Sequence, residues 1–396
     1  MSEFDDIRPY RDNEVQEILK KTIADKEFID LFGQLRFGRS YKICCWVLRP
    51  LLQLTLRRLM NAINTVGVFQ AVIAKYLTKT IEKTTDGLNV YGADKLDMNQ
   101  SYLFLSNHRD ITMDPALTNY ALYKAGSKTL RIAIGDNLLT KEFASDLMRL
   151  NKSFIVRRAI SQPRKLLMEL KRLSRYIWVS LKEDKQPVWI AHREGRAKNG
   201  WDKTDAAIIK MLAIAKPKDI GFSKYICALN IVPVSISYEY DPCDASKAQE
   251  LKIVNRGDTY VKDEHEDLAS IGKGIKGYKG KVDLVFGSPL RGEFNTAEEV
   301  ASVLDTIIVR QYHLQASNIA AYQALYGGEA WELARSKLEA SNMAEHFPDV
   351  AANDKRKLNT RLTGLDNTEK ELLLTMYANP ITHKLALLPA GAKHSN

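Results

Sequence analysis

Residues 101–117 read S-Y-L-F-L-S-N-H-R-D-I-T-M-D-P-A-L, an apolar run followed by a polar turn and the start of a helix. Residues 102–105 have the length and composition of a strand that is buried on both faces. Asp114, which precedes a proline, is typical of a helix N-cap. His108 and Asp110 therefore fall in the turn between a strand and a helix, where open α/β sheets place their ligand sites.

This turn carries the residue types that acid–base chemistry needs. A neutral imidazole such as that of His108 can take a proton from a hydroxyl when a carboxylate holds its other nitrogen in the right tautomer. The alternative is that Asp114 only caps its helix and that His108 is an ordinary surface histidine. The strand-turn-helix pattern alone leaves both interpretations open.

The surrounding chain has the pattern of an α/β fold. From residue 87 onward helical patterns alternate with short apolar runs, which are N-V-Y-G, Y-L-F-L, L-R-I-A-I, S-F-I-V, P-V-W-I-A, I-V-P-V-S-I-S-Y and V-D-L-V-F. This alternation predicts a mixed, mainly parallel sheet wrapped by helices. A capping box at residues 296–299 predicts a helix to about residue 314. Residues 241–280, rich in charge and glycine, are expected to be an excursion outside the core.

These patterns divide the chain into three predicted regions. Residues 1–86 are expected to form a helical N-terminal region, residues 87–318 the catalytic domain, and residues 319–396 a helical C-terminal tail. The acidic N-terminus lacks the features of a signal peptide, and no run reaches the roughly 18 apolar residues of a transmembrane helix. We therefore expect a cytoplasmic protein that associates peripherally with the cytoplasmic face of the membrane.

The charge balance indicates an acidic partner. The chain of 396 residues has a formal net charge of +10 and a sequence pI near 9.2. Anionic lipid, nucleic acid, acyl carrier protein or a phosphorylated substrate would each fit. Nucleic acid is disfavoured because the sequence shows neither a recognition helix nor interleaved aromatic and basic residues. The four cysteines have no metal-ligand or disulfide spacing, so no metal or cofactor is expected.

Residues 36–80 are basic and contain no acidic residue. An apolar stripe recurs there near helical spacing, opposite a polar stripe of Arg49, Gln53, Arg57 and Asn61. The members of the apolar stripe are Leu48, Leu51, Leu52, Leu56, Leu59 and Ile63. Such a helix can lie in the interface of an anionic membrane. The alternative, held equally, is that the stripe packs on the protein's own core.

The segment N-H-R-D-I-T-M-D-P, residues 107–115, resembles the first motif of the glycerolipid acyltransferase family, which acylates glycerol 3-phosphate and 1-acylglycerol 3-phosphate. The family places its aspartate five residues after the histidine, where this chain has Met113 and reaches Asp114 one residue later. The resemblance favours Asp114 as the partner of His108, because it keeps the position before the helix. Asp110 is the alternative partner.

Three later segments resemble the family's other motifs in the family's order. Residues 153–158, S-F-I-V-R-R, match the second motif, and the sequence E-G-R at 194–196 matches the third, whose arginine is expected to hold the substrate phosphate. Residues 231–235, I-V-P-V-S, match the fourth, and their proline predicts an edge strand or a strand start. Arg193 stands where the family usually has proline, which suggests a divergent, bacterial-type branch. The resemblance implies these substrate-binding positions: Asn107, Arg109, Arg157, Glu194, Gly195, Arg196, Val232, Pro233 and Val234.

The resemblance implies an acyltransferase that moves a fatty acyl group from acyl-CoA or acyl carrier protein to a glycerol phosphate or lysophosphatidic-acid-type acceptor. His108 would act as the general base, and no covalent enzyme intermediate is expected because no serine or cysteine stands beside it. The family resemblance covers about residues 87–290. The alternative function is a non-catalytic membrane-surface or acyl-carrier-docking protein.

Overall fold

The computed structural model describes residues 3–139, 141–158, 160–263, 266–343 and 347–388, apart from the side chains of Leu35 and Arg39. By packing, the chain divides into two compact units. The smaller unit is Met1–Thr78 with Leu130–Glu169, and the larger unit is Lys79–Thr129 with Leu170–Asn396. The functional boundaries at residues 87 and 318 remain predictions.

The elements of the described residues follow one another as an α/β chain with helices at both ends. The strands are β1 (Leu88–Tyr91), β2 (Leu103–Ser106), β3 (Arg131–Gly135), β4 (Ser153–Val156), β5 (Val188–Ala191), β6 (Ile231–Tyr238) and β7 (Val282–Phe286). The helices are α1 (Val15–Ala24), α2 (Lys26–Phe37), α3 (Arg39–Met60), α4 (Val66–Thr84), α5 (Met113–Lys124), α6 (Glu142–Leu150), α7 (Pro163–Lys182), α8 (Ala206–Ala213), α9 (Phe222–Ala228), α10 (Asp244–Asn255), α11 (Glu266–Lys276), α12 (Ala297–Gln311), α13 (Ala316–Tyr326), α14 (Gly328–Ala340), α15 (Ala352–Arg361) and α16 (Asn367–Ala386).

The sheet of the larger unit is mixed and mainly parallel, as the alternating pattern predicts. Its strand order is β1-β7-β6-β2-β5. β2 pairs in parallel with both β5 and β6, β1 pairs in parallel with β7, and β6 and β7 are antiparallel. The carboxyl ends of β2, β5 and β6 therefore lie side by side at one edge, called here the ligand edge.

The expectation of an edge strand at the fourth motif is wrong. β6 lies inside the sheet, and Pro233 is its third residue. The antiparallel ladder with β7 begins only at Val234, so the missing N–H of Pro233 falls where that ladder has not yet started. The Pro233 carbonyl still accepts a hydrogen bond from the Gly287 N–H at 2.8 Å.

The smaller unit contains residues 36–78 of the basic amphipathic window, which lie mainly in α3 and in the first part of α4. Part of the predicted apolar stripe is core, because Leu52, Leu56 and Ile63 are buried against neighbouring helices. Leu51 and Leu59 are exposed. The predicted stripe is therefore not one continuous lipid-facing surface. No helix in the described ranges is both long enough and apolar enough to cross a membrane.

A different apolar surface of α3 is open to solvent. Ile43 and Trp46 are 77% and 78% exposed, and the side chains of Val47, Leu51 and Leu54 are exposed with them. Trp46, Val47, Leu51 and Leu54 recur at spacings of three, four and seven residues along one side of the helix, and Ile43 precedes a kink at Cys44. We call these five residues the α3 apolar face.

The prediction that residues 241–280 lie outside the core is wrong. This segment forms α10 and α11, and it buries the charged side chains of Asp241, Asp244, Lys247 and Lys279. Lys279 donates hydrogen bonds to the Thr84 hydroxyl at 3.2 Å and the Gly277 carbonyl at 2.7 Å, and burial of the other three charges is tolerated because they are paired. Asp241 pairs with Lys247, and Asp244 with Arg361 of α15.

Candidate active site

The first motif folds as a strand, a tight turn and a helix at the ligand edge. β2 ends at Ser106 and α5 begins at Met113, so residues 107–112 form the turn. Within it the His108 imidazole meets the Asp114 carboxylate, with Nδ1 2.8 Å from Oδ2. A proton on Nδ1 donates to that oxygen and leaves Nε2 as the acceptor nitrogen.

Asp114 is buried and is held by more than the imidazole. Its Oδ2 also accepts hydrogen bonds from the backbone N–H groups of Arg109 at 2.6 Å and Asp110 at 2.9 Å. Its Oδ1 accepts one from the Tyr238 hydroxyl at 2.8 Å. The N-cap prediction is wrong, because Asp114 is the second residue of α5 and its side chain turns back toward His108.

Asp110 supplies the hydrogen bonds that start α5. Its Oδ1 accepts from the N–H groups of Thr112 at 2.9 Å and Met113 at 2.8 Å. Its Oδ2 is buried and meets no hydrogen-bond partner in the described ranges, and α11 passes so close that a Cβ on Gly274 would lie 2.2 Å from it. Burial, followed by the neighbouring charge of Asp114, raises the pKa of Asp110. Asp114 and not Asp110 bonds the imidazole.

The imidazole is only partly exposed and has an aromatic neighbour. The His108 side chain is 14% exposed, and the edge of its ring contacts the Trp189 ring with centroids 6.0 Å apart. Trp189 lies on β5, next to β2 in the sheet. The imidazole is therefore fixed by Asp114 on one side and by an aromatic wall on another, and Nε2 is available for proton transfer.

Asn107 and Arg109 bind the protein itself. The Asn107 amide donates to the Ile236 carbonyl at 3.0 Å, and its oxygen accepts from the Ile236 N–H at 2.8 Å. The Arg109 guanidinium donates to Asp202 at 2.6 Å and to the Gly200 carbonyl at 3.1 Å. Both side chains are buried, so they hold the turn in place, and the structure does not offer them to a substrate.

The third motif lies directly beside the first. The N–H of Ala197 donates to the His108 carbonyl at 2.8 Å. Gly195 has φ +71°, a left-handed conformation that glycine adopts without strain, and both it and Glu194 are exposed. Arg196 reaches Ser270 of α11 over 3.5 Å with Nη2, while its buried Nη1 has no hydrogen-bond partner among the residues that the structure describes.

The buried surroundings of His192 indicate a structural role for this side chain. It is fully buried, and its Nδ1 lies 3.3 Å from the Thr204 hydroxyl. Burial lowers the pKa of His192 to about 4. Within the described ranges, no group of three or more His, Cys, Asp or Glu side chains is arranged to hold a metal ion.

The other predicted residues lie elsewhere. Arg157 belongs to the smaller unit, where it forms an ion pair with Asp6. Val232, Pro233 and Val234 are buried in β6, within the sheet. The structure therefore brings His108, Asp114 and the third motif together, whereas the fourth-motif side chains are core.

Two residues of the site were missed by sequence reasoning. Tyr238 ends β6 and bonds Asp114 from 124 positions away. Its position as a polar aromatic at the end of a predicted strand was the one available signal. Lys247 contacts both motif loops from α10, and no local pattern marks it.

One segment of this chain is similar to a known protein family. Residues 87–237 match the family described as Acyltransferase. No curated protein matches the chain. Among solved structures the chain is similar to the 1-acyl-sn-glycerophosphate (LPA) acyltransferase, PlsC, from Thermotoga maritima, at 15% sequence identity and a TM-score of 0.37, covering 75% of this chain and 92% of that chain. The segment that matches the family contains His108, Asp114, Arg157 and Arg196.

Proposed function

Because residues 87–237 belong to the acyltransferase family, we propose that this protein transfers a fatty acyl group from acyl-CoA or acyl carrier protein to a hydroxyl of glycerol 3-phosphate or of a 1-acylglycerol 3-phosphate. The observation that carries this proposal is the His108–Asp114 pair at 2.8 Å. It stands at the ligand edge with Nε2 facing away from its carboxylate partner. A base so placed can accept the proton of an alcohol.

The chemistry needs one base and two substrates. His108 Nε2 takes the proton of the acceptor hydroxyl as the oxygen attacks the thioester carbonyl carbon. The C–S bond then breaks, the acyl group stays on the acceptor oxygen, and the imidazolium returns its proton to the departing thiolate. Asp114 stabilises the imidazolium while it exists. Tyr238 and the two backbone N–H groups keep that carboxylate in place.

Arg196 is the proposed anchor for the acceptor phosphate. Within the described part of the chain its Nη1 has no hydrogen-bond partner, and the N–H of the next residue, Ala197, donates to the His108 carbonyl. A guanidinium binds a phosphate through paired, charge-assisted hydrogen bonds. Holding the phosphate there would orient the acceptor hydroxyl toward His108, which turns a random encounter into an oriented one.

We also propose that the protein works at an anionic membrane surface. The α3 apolar face can enter the interfacial region of a bilayer, and the exposed side chains of Arg57 and Arg58 lie on the same helix. Each basic residue near an anionic leaflet contributes about 1 kcal/mol. This surface also supports the second candidate function, a membrane-surface protein without catalysis.

One assay separates these functions. Purified protein is incubated with radiolabelled glycerol 3-phosphate or its 1-acyl derivative, with acyl-CoA and acyl carrier protein thioesters of several chain lengths, and the labelled lipid is extracted. Acylated product that requires His108 supports the acyltransferase proposal. Liposome binding without any product from either acceptor would contradict it and favour the non-catalytic candidate.

A further inference from the structure

Lys247 is a buried lysine whose ammonium bonds the backbone of both site loops. Its side chain is 2% exposed. Nζ donates to the Arg109 carbonyl at 2.7 Å and to the Ala197 carbonyl at 3.4 Å, and it forms an ion pair with Asp241. An ammonium group has three N–H donors, so this environment uses all of them.

The two carbonyls stand immediately after the two residues that matter most to the proposed reaction. Arg109 follows His108, and Ala197 follows Arg196. The loops are also joined directly by the hydrogen bond from the Ala197 N–H to the His108 carbonyl. Lys247 therefore fixes the distance between the loop that carries the general base, His108, and the loop that carries the proposed phosphate anchor, Arg196.

The pair that anchors this lysine is itself held by the C-terminal helices. The Asp241 N–H donates to the Tyr377 hydroxyl at 2.9 Å, and the Asp241 carbonyl accepts from Arg361 at 2.8 Å. Burial alone would raise the pKa of Asp241, and the Lys247 ammonium, with the Cys243 N–H and the charge of Arg196, lowers this pKa below its ordinary value. Asp241 is thus a charged partner that keeps Lys247 in one position.

We propose that Lys247 is a positioning residue that sets the separation of His108 and Arg196 and thereby selects which acceptor hydroxyl is acylated. This inference rests on the proposed function. In a glycerol phosphate the hydroxyl on C2 is one carbon nearer to the phosphate than the hydroxyl on C1. With the phosphate held at Arg196, only a fixed spacing can favour one of them at His108 Nε2.

Two acceptors with a single hydroxyl test this selection without interference from acyl migration. They are 3-hydroxypropyl phosphate and 2-hydroxypropyl phosphate, whose hydroxyls stand at the C1 and C2 distances. The measured quantity is the ratio of kcat/KM for the two acceptors with one acyl thioester. Lys247→Met should lower kcat by at least about tenfold, since a displacement near 1 Å can cost about a hundredfold, and should bring the ratio at least about threefold closer to one.

Lys252→Met is the matched control. Lys252 lies on the same helix and pairs with Glu369 at 3.1 Å and with Asp366, away from both site loops. Its loss should leave the acceptor ratio unchanged. Because Lys247→Met leaves the buried Asp241 charge unpaired, the double variant Lys247→Met/Asp241→Asn is measured as well. That variant removes both charges and still leaves the two carbonyls without their donor, so the same change in ratio is expected.

The outcomes are distinct. Unchanged ratios in both the single and the double variant, with wild-type protein active, would overturn the role of Lys247 and leave the proposed function standing. Wild-type protein that acylates glycerol 3-phosphate or its 1-acyl derivative but shows no preference between the two single-hydroxyl acceptors, or uses neither, would overturn this inference alone. Wild-type protein that acylates none of the four acceptors would overturn the proposed function and this inference with it. Hydrogen exchange adds a readout independent of turnover, because residues 193–198 should exchange faster in the Lys247 variants than in Lys252→Met.

Discussion

At the scale of single residues, the two aspartates of the first motif have exchanged the tasks that their positions suggest. Asp114 stands where a cap is expected and orients His108, whereas Asp110 starts the helix. The two carboxylates therefore differ in what they would lose on conversion to an amide. An amide at 114 removes the charge that stabilises an imidazolium, while an amide at 110 keeps an acceptor oxygen for the helix N–H groups.

This difference predicts the order of three variants. His108→Ala should lower kcat by at least about a hundredfold, because proton removal then has no base. Asp114→Asn should be far more damaging than Asp110→Asn. Initial rates at saturating substrates, with circular dichroism to verify folding, provide the measurement. A folded His108→Ala protein with near-normal turnover would remove the proposed mechanism, and a reversed order of the aspartates would reassign the pair.

A second prediction concerns the arginine of the third motif. Arg196→Ala should raise the apparent acceptor KM more than the donor KM, because a phosphate anchor acts on one substrate. Arg193→Ala, three residues earlier, is the control and should change neither value by much. An Arg196 effect confined to the donor would place this arginine on the donor's phosphates.

A third prediction concerns stability against pH at His192. Its folded pKa of about 4 lies below its ordinary value of 6.5 because of burial. Between these values the unfolded chain binds the proton and the folded chain does not, so stability falls as pH is lowered from 6.5 toward 4. The loss attributable to this residue is at most about 3 kcal/mol. Denaturant unfolding of wild type and His192→Asn between pH 7 and 4.5 should show a flatter dependence in the variant, and equal slopes would contradict the assignment.

At the scale of elements, α3 carries two surfaces with different partners. Leu52 and Leu56 face the protein core, and Arg49 is engaged by Asp30 through two hydrogen bonds of 2.7 and 2.9 Å. The heptad-like spacing of leucines could not distinguish the two surfaces, since a lipid-facing and a core-facing stripe have the same period. Ile43 and Trp46, outside that spacing, are the strongly exposed members.

The α3 apolar face predicts a membrane-binding variant. Ile43→Gln/Trp46→Gln should weaken binding to anionic liposomes at least about tenfold, because each buried apolar side chain contributes about 1.5 to 3 kcal/mol. Leu333→Gln, an exposed leucine on α14, is the control and should leave binding unchanged. Sedimentation with liposomes at low salt provides the measurement, and activity toward a water-soluble acyl thioester should persist in the double variant. Equal binding of all three proteins would remove the membrane role of this face.

Local signals fixed several element boundaries well. Thr296 accepts a hydrogen bond from the Glu299 N–H at 3.1 Å, and α12 runs over Ala297–Gln311, close to the helix that the capping box predicts. The strand at residues 102–105 is likewise found as β2, one residue later. Such features depend on neighbours a few residues apart, which is the range over which sequence patterns act.

At the scale of the whole molecule, the C-terminal helices belong to the same compact unit as the site. The Gly200 backbone, at φ +74°, packs so closely on α16 that a Cβ there would lie 1.9 Å from the Met376 carbonyl oxygen. Trp201 stacks on His383 with ring centroids 4.0 Å apart, and the Asn379 amide donates to the Asn199 carbonyl at 2.6 Å. α16 thus supports the segment that follows the third motif.

This packing predicts that a chain ending at residue 318 does not fold its larger unit. The truncation removes large apolar side chains that are buried on α14 to α16, namely Trp331, Leu338, Leu358, Leu373, Met376, Tyr377 and Ile381. Burial of these seven side chains is worth about 10 to 20 kcal/mol, at least comparable with the whole stability of a domain. Thermal unfolding followed by circular dichroism should lose its cooperative transition. A transition near that of the full chain would show instead that residues 319–396 are a dispensable tail.

The fold class could be derived from sequence because strand and helix periods are local, whereas Asp114 was favoured over Asp110 as the partner of His108 only by the motif resemblance. The Lys247 contacts could not be derived from sequence, since its two carbonyl partners are 138 and 50 residues away and lie on loops whose proximity is created only by the sheet. The same holds for Tyr238, which reaches Asp114 across the boundary between β6 and β2. Long-range polar contacts of this kind produce no periodic pattern in the amino-acid sequence.

Strand β7 runs antiparallel to β6, and its direction decides at which edge of the sheet the following helix, α12, ends. After a parallel strand, a crossover helix returns the backbone to the edge opposite the ligand edge. β7 instead starts at the ligand edge, where Val282 pairs with Tyr238. The helix α12 therefore runs back toward that edge. Tyr312, which follows α12, lies against the Arg109 guanidinium, whose Cζ is 5.5 Å from the centroid of the tyrosine ring. After α12 the chain therefore continues from the ligand edge. One antiparallel pairing thereby brings α13 and α16, which follow α12, to the side of the sheet at which β2, β5 and β6 end, where α16 packs on residues 199–201.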